Sequence, residues 1–298
     1  MANSITLAKE YQAALDRAYA KGALTAVLNA NPDSVRPTGR AGSFEIAKMA
    51  LVGAGDYSRA TGFAAGDVTL TWEEKSYTQD RGRSFTIDAM DDLETAGVAF
   101  GNLAGEFLRT KVIPEVDAFR FAKIASTSGI QTTTAANLTT SAGTLAALDV
   151  AIAAVGDKEA DMENLHLFLS WAQYTLLKNS AAATRFVSPN QDPSREFMTF
   201  DNIPVTVVPS SRFYTGVTMD AGATSSAGGY AKTSGAKDIN FLLVDKGSVF
   251  ADMKHAVPRI FTPAENQSAD AYKFDYRYYH DAWVLDNKVN GIYLHKAA

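Results

Sequence analysis

Asp88, Asp91 and Asp92 crowd the junction SFTIDAMDD, and three carboxylates at such short spacing could hold a hard cation such as calcium or magnesium. The calcium-loop pattern and the further oxygen ligands it needs are missing, so capping of a following helix is the preferred reading. His280 and Asp281 resemble half of a hydrolytic triad. Neighbours on a strand point to opposite faces, however, and cannot easily orient one another. No Gly-x-Ser-x-Gly elbow accompanies them. His166 sits among Leu165, Leu167 and Phe168, company that suits a core or interface histidine better than a metal ligand. Gly53-Ala54-Gly55 lacks the third glycine of a dinucleotide loop, and Gly228 to Thr233 lacks the Gly-Lys-Thr core of a phosphate loop. Tyr272, Phe274, Tyr276 and Tyr278 could stack bases, but no basic groove accompanies them, so core packing is preferred. No nucleophile, base and orienter can be assembled, no cofactor or metal is implied, and the chain reads as no enzyme.

The composition narrows the field further. Its 298 residues suffice for about two ordinary domains and a sizeable core. Lys and Arg number 28 against 33 Asp and Glu, a formal charge of −5. That balance argues against capture of nucleic acid or acidic membranes by the whole molecule, which needs clustered positive charge. The chain has no cysteine, which excludes disulfides and thiolate metal sites. The opening residues MANSITLAKEYQAALDRAY lack the basic and apolar regions of a secretory signal. No run of about 18 apolar residues could span a membrane.

The elements that would position these residues follow from periodicity. Residues 84–125 carry a strand ending at Ile87-Asp88, then one long helical pattern with Pro114 inside it. Asp91 and Glu94 have capping-box spacing, and acids suit the positive end of the helix dipole. Leu93, Ala96, Phe100, Leu103 and Phe107 recur on one helical face. A helix of about 35 residues would measure roughly 52 Å. A compact chain of this length has a radius of gyration near 19 Å, so the rod would cross the whole subunit. Flat or elongated subunits of this kind belong to assemblies.

Before the rod, Leu7, Tyr11, Leu15 and Ala18 share one side of a short amphipathic helix, and residues 31–42 read as an extended linker broken by Pro32 and Pro37. The first 42 residues thus look like an arm. Val68, Leu70 and Trp72 alternate with polar residues, Gln79 to Gly82 reads as a turn, and Phe85 and Ile87 alternate on the return. Residues 43–88 therefore form a long two-stranded ribbon, which is marginal in water unless it lies on a surface. After the rod, a Thr- and Ser-rich boundary leads into an α/β module with a mixed sheet: helices over residues 145–155 and 171–179, strands at 165–169 and 205–208. Gly216 to Ala236 reads as a mobile low-complexity loop. The C-terminal strands present one aromatic face, onto which Phe100, Leu103 and Phe107 should pack.

A short helical arm, a long ribbon, a spine helix, an α/β insertion and a closing sheet resemble, in this order, the major capsid protein of tailed bacteriophages. Phe85-Thr86-Ile87-Asp88 leading into Asp91-Asp92, and Val112-Ile113-Pro114-Glu115-Val116-Asp117-Ala118, carry the likeness. The resemblance implies an α+β, Hong Kong 97-like capsid fold. Residues 1–42 would be the N-terminal arm and 43–88 the extended β loop lying over an adjacent subunit. Residues 89–126 and 240–298 would be the peripheral domain with the spine helix, and 127–239 the axial domain. Such subunits assemble through hexamers and pentamers into an icosahedral head around double-stranded DNA. The implied partners are many copies of the same chain, with portal, scaffolding or decoration proteins as neighbours, no membrane and no sequence-specific DNA contact. The implied location is the virion capsid, and the host cytoplasm during assembly.

Within that scheme Val68, Leu70, Trp72 and Tyr77 are the expected inter-subunit contacts of the loop, and Leu7, Tyr11 and Leu15 those of the arm. Leu93, Phe100, Leu103, Phe107 and Pro114 are the expected core of the spine helix. No long helical scaffolding segment precedes the arm, which departs from the founding pattern. Some relatives cross-link a loop lysine to an asparagine; Lys48, Lys75, Asn287 and Asn290 are of the required types, although ordinary solvated residues explain them equally well. An encapsulin-like compartment shell is the runner-up. A hydrolase or carbohydrate-binding module in 127–239 is the alternative of another class.

Overall fold

The computed structural model describes residues 22–29, 35–37, 43–90, 98–178, 198–224 and 227–298. A rod does run through it. Helix α1 comprises an α-helical segment Val98–Phe107, one π turn Leu108–Val112, and a second α-helical segment Ile113–Ala125. Residues 98–125 reach about 42 Å at the standard rise. Pro114 follows the π turn directly, so its missing N–H falls where the regular α ladder is already interrupted. The Asp91–Glu94 capping pair and Leu93 lie outside the described residues. Asp88 does act at the junction, accepting the Met90 N–H at 2.9 Å.

Strands β1 (Val35–Pro37), β2 (Ser43–Leu51), β3 (Val68–Ser76) and β4 (Gln79–Asp88) precede α1. Beyond it come β5 (Gln131–Thr132), helix α2 (Ser141–Gly156), β6 (Leu165–Ser170), helix α3 (Trp171–Lys178), β7 (Met198–Phe200) and β8 (Ile203–Val208). The chain closes with β9 (Val217–Asp220), β10 (Gly229–Lys232), β11 (Ile239–Asp245), β12 (Val249–Phe261), β13 (Ala271–Val284) and β14 (Ile292–Lys296).

Two sheets share α1. The first is the antiparallel β12-β13-β4, whose aromatic face is the period-two stripe of β13. Phe274, Tyr276 and Tyr278 are buried there against Ala104, Leu108, Val112 and Val116 of α1. The expected packing of helix on aromatic face is thus present, but the buried stripe lies one residue beyond the predicted one. Leu103 and Phe107 are half-buried at its edge, with the Phe107 ring 4.9 Å from Phe85 and 6.2 Å from Tyr276. Phe100 lies on α1, but its side chain is outside the described residues.

The second sheet has order β5-β14-β11-β6-β8-β7. Every residue of β6 and β11 is buried, as near-continuous apolar runs require when both faces are covered. Leu148, Ala151 and Val155 of α2 and Leu177 of α3 pack on one face. Phe121 and Ile124 of α1, with Phe213, pack on the other. The Thr140 hydroxyl caps α2 by accepting the Gly143 N–H at 3.2 Å. Strands β11 and β14 belong to this sheet, so it crosses the boundary expected at 239/240.

Three further expectations need correction. The segment 79–82 is no turn: it opens β4, which pairs with β13 from Gln79↔His280 to Asp88↔Ala271. Gly82 is needed there because a Cβ would stand 2.9 Å from the Tyr276 carbonyl oxygen. The strand partner of β3 is therefore β2, in register from Ser43↔Ser76 to Leu51↔Val68. Within the linker, residues 35–37 form edge strand β1 on β2, a position where proline is tolerated. Residues 217–232 hold a hairpin, β9 with β10, where a loop was expected.

Candidate interaction surface

The three-stranded ribbon β1-β2-β3 leaves the body at Tyr77, and its two faces differ. Directly paired residues share a face, so the register places Ala47 with Trp72, Met49 with Leu70, and Leu51 with Val68 on one side. That face is apolar and open: Leu51 is 68%, Val68 66%, Met49 57% and Leu70 51% exposed. Trp72 is the best covered, because the Arg36 guanidinium lies 3.6 Å over its ring while pairing with Glu45 at 2.7 Å. At the distal end, Ser58 and Gly62 close a small backbone bridge, and Tyr57 and Phe63 stand together with ring centroids 4.9 Å apart. Phe63 is 88% exposed. A soluble surface scatters such residues singly, and a contiguous apolar strip marks an interaction site.

The opposite face is anchored. Phe44 and Ile46 are buried with Phe250, Trp283 and Leu285, and Tyr77 completes the cluster. Phe44 meets Trp283 edge-on at 4.6 Å. Tyr77, grouped from the sequence with the outward contacts, belongs to this hinge: its ring packs on Phe44, Trp283 and Tyr279, and its hydroxyl donates to Asp252. Burial, then the Asp252 carboxylate, pushes the phenol well above its ordinary range. Asp281 fixes the next residue by accepting the Thr78 N–H at 2.8 Å and the Thr78 hydroxyl at 2.7 Å. Of the expected seam, Val68, Leu70 and Trp72 are thus brought to one surface and Tyr77 is not.

Sequence reading missed Met49 and Leu51, although Ala47, Met49 and Leu51 alternate as plainly as their partners. It also missed the polar clasp between the arm and α1. Leu24–Leu28 forms a 3₁₀ turn in which Thr25 and Leu28 are buried. Asp117 accepts the backbone N–H groups of Leu24 at 3.1 Å and Thr25 at 3.0 Å, and the Thr25 hydroxyl at 2.6 Å. The arm is therefore packed on the body at this point. Leu7, Tyr11 and Leu15 lie outside the described residues.

The hairpin β9–β10 hangs from β4 by two arginines. Arg81 donates to the carbonyls of Asp220 at 2.6 Å and Gly229 at 3.2 Å, and Arg83 to those of Gly222 at 3.4 Å and Thr224 at 3.1 Å. Between the hairpin, β4 and α1 lies an open cleft of about 1290 Å³, lined by Phe85, Leu103, Phe107, Pro114, Arg81 and Lys111 among others. Its carboxylates Glu106 and Glu115 are paired, with Arg109 at 2.8 Å and Arg81 at 2.8 Å.

His280 and Asp281 point to opposite sides of β13: the imidazole contacts Phe119 and Tyr278, while Asp281 serves Thr78. His166 shares a 2.9 Å hydrogen bond with Thr206, and burial lowers its pKa to about 4, so it is neutral in the sheet. Lys48 and Lys75 pair within the chain, with Asp286 at 3.4 Å and Glu73 at 2.7 Å. Asn287 and Asn290 occupy the 3₁₀ turn Asp286–Gly291. Among the described residues no three His, Asp or Glu side chains cluster as metal ligands, and no helix is long and apolar enough to cross a membrane.

A projecting ribbon and a long helix shared by two sheets give the chain a Hong Kong 97-like fold, that of the solved phage capsid structures it resembles. Three solved structures illustrate the likeness. The chain is similar to a virus-like particle from Pyrococcus furiosus at 13% identity and a TM-score of 0.57, over 95% of this chain and 96% of that one. It resembles the capsid of the cyanophage P-SCSP1u at 15% identity and 0.55, over 88% and 85%. The mature capsid of bacteriophage PhiM1 gives 12% and 0.54, over 87% and 83%. No protein-family model matches the chain, and no curated protein matches its sequence.

Proposed function

We propose that this chain is a non-enzymatic major capsid subunit that assembles through hexamers and pentamers into an icosahedral phage head around double-stranded DNA. The observation that carries the reading is the open apolar strip Met49, Leu51, Val68 and Leu70, which a single copy leaves in water. Covering one such side chain gains about 1.5–3 kcal/mol, so each ribbon supplies a modest contact and closure of a shell makes many of them cooperative. The shared fold supports the same reading. In this scheme residues 1–42 are the arm and 43–78 the extended loop over a neighbour; β4 joins residues 89–126 and most of 240–298 in the peripheral domain, and 127–239 form the axial domain, whose sheet takes in β11 and β14. Portal, scaffolding or decoration proteins are its neighbours, the host cytoplasm is the place of assembly, and a chain of net charge −5 confines DNA without gripping it.

Negative-stain microscopy and light scattering of the purified protein test this. Hollow particles or rings are the expected outcome. Monodisperse monomers at every concentration, with the ribbon protected from proteolysis, would overturn it. The similarity to a virus-like particle over 96% of that chain favours one second reading, an encapsulin-like compartment. Packaged protein in place of nucleic acid inside the particles would select it.

A further inference from the structure

The layer between α1 and β13 holds more positive charge than its carboxylates can answer. Glu115, Asp117 and Arg120 all enter it from α1, and all are buried. Arg81 takes both oxygens of Glu115, at 2.8 and 3.2 Å, while the Tyr278 hydroxyl donates to Oε1 at 2.6 Å. Arg212 reaches Oδ2 of Asp117 at 3.2 Å, and the arm backbone and Thr25 fill the rest of that carboxylate. Arg120 is thus a third guanidinium beside two carboxylates already engaged.

Arg120 is 0% exposed. Its Nη1 donates only to neutral oxygens: Asn29 Oδ1 at 2.8 Å, the Thr25 hydroxyl at 3.2 Å and the Thr25 carbonyl at 3.4 Å. Nε and Nη2 meet no acceptor among the described residues. From β13 comes His280, also 0% exposed, and neither of its ring nitrogens has a partner. Burial, then the Arg120 charge, lowers its pKa to about 3, so it is a neutral donor. Asp281 lies on the far side of the strand and is occupied by Thr78 and the Ala282 N–H.

The Asp117 carboxylate is reached only through the Thr25 hydroxyl and is shared with Arg212, and a buried guanidinium so incompletely answered is unfavourable in an interior. Bound water answers orphan N–H groups but not the charge. We propose that Arg120 and His280 form an interior site for one small monovalent anion of chloride type, held by Nε–H and Nη2–H of Arg120 and a ring N–H of His280. The same guanidinium grips Thr25 and Asn29, so the bound anion fastens residues 24–29 to α1. This holds whether or not the chain builds a shell.

Thermal unfolding of the full chain in sodium chloride, sodium bromide and sodium gluconate at equal ionic strength tests the site. The halides should raise Tm by about 3 °C over gluconate, the shift expected when ligand exceeds its dissociation constant several-fold in a chain of this size. Bromide should give an anomalous peak between Arg120 and His280. His280→Phe, which suits the aromatic neighbours Phe119 and Tyr278, should abolish the halide difference. Arg120→Met should do the same; if that variant does not fold, His280→Phe still decides. Equal Tm values in all three salts, or an undiminished halide effect in His280→Phe, would overturn the proposal.

Discussion

Phe44 and Leu51 lie on the same strand, yet Phe44 is closed into an aromatic cluster and Leu51 stands in solvent. The base of the ribbon spends its apolar side chains on the body: Phe44 and Ile46 meet Phe250, Trp283 and Leu285. The distal part turns its apolar side chains to the other face, where Met49, Leu51, Val68 and Leu70 are more than half exposed. One β sheet thus contains a segment packed on the body and a segment whose apolar side chains face solvent. The practical lesson is that substitutions a few residues apart should affect different observables, folding in one case and association in the other.

Phe44→Ala should have the largest effect. It removes a buried ring and should cost about 3–5 kcal/mol in denaturant unfolding of the unassembled chain. A loss below about 1 kcal/mol would mean that the base, too, relies on a neighbour. Acid should act on the body next. His166 has a folded pKa of about 4 against an ordinary 6.5, so the unfolded chain takes up protons first. The stability it permits is complete above pH 6.5 and falls as pH drops toward 4, by up to about 3 kcal/mol. His166→Gln should reduce the slope of Tm against pH in that window, where buried His280 also contributes; an unchanged slope would assign the acid sensitivity elsewhere.

Trp72→Ala should cost the monomer only about 1 kcal/mol, the worth of its Arg36 stacking, while weakening each ribbon contact by about 2 kcal/mol and lowering particle yield at fixed concentration. Undiminished yield would remove Trp72 from the seam. Arg36→Ala is the finest probe. It strips the guanidinium from the indole face, an interaction worth about 0.5–1 kcal/mol at an exposed site, and should make Trp72 more accessible to a fluorescence quencher. Quenching equal to the parent's would show that Arg36 does not shield the ring.

Much of this architecture was legible. The buried run Leu165–Leu169, the aromatic alternation from Tyr272 to Tyr278 and the helical pattern through Val116 report burial directly, because side-chain period and burial are one phenomenon. Alternation reports a face but not a partner, which is why Val68–Trp72 was matched to the return strand when β2 is its neighbour. The hairpin within Gly216 to Ala236 was hidden for a different reason. Its position depends on Arg81 and Arg83 donating to its carbonyls, and backbone acceptors leave no trace in composition. The polar clasp on Asp117 and Arg120 was masked by the apolar residues around it in the same helix.

The π turn at Leu108–Val112 has a consequence for how freely this chain can change length. Ala104, Leu108, Val112 and Val116 recur every fourth residue, and on an undisturbed α-helix that spacing would wander by about 120° from first to last. One supernumerary residue in the turn returns roughly 100° of it, acting as a vernier between the two halves of the rod. Excising a single residue such as Arg109 should therefore leave a plain α-helix in which Val116, Phe121 and Ile124 keep their aim, whereas excising a second should turn them roughly 100° past their sockets. The rod is tuned in angle as well as in length, and its tolerance for insertion or deletion ends there.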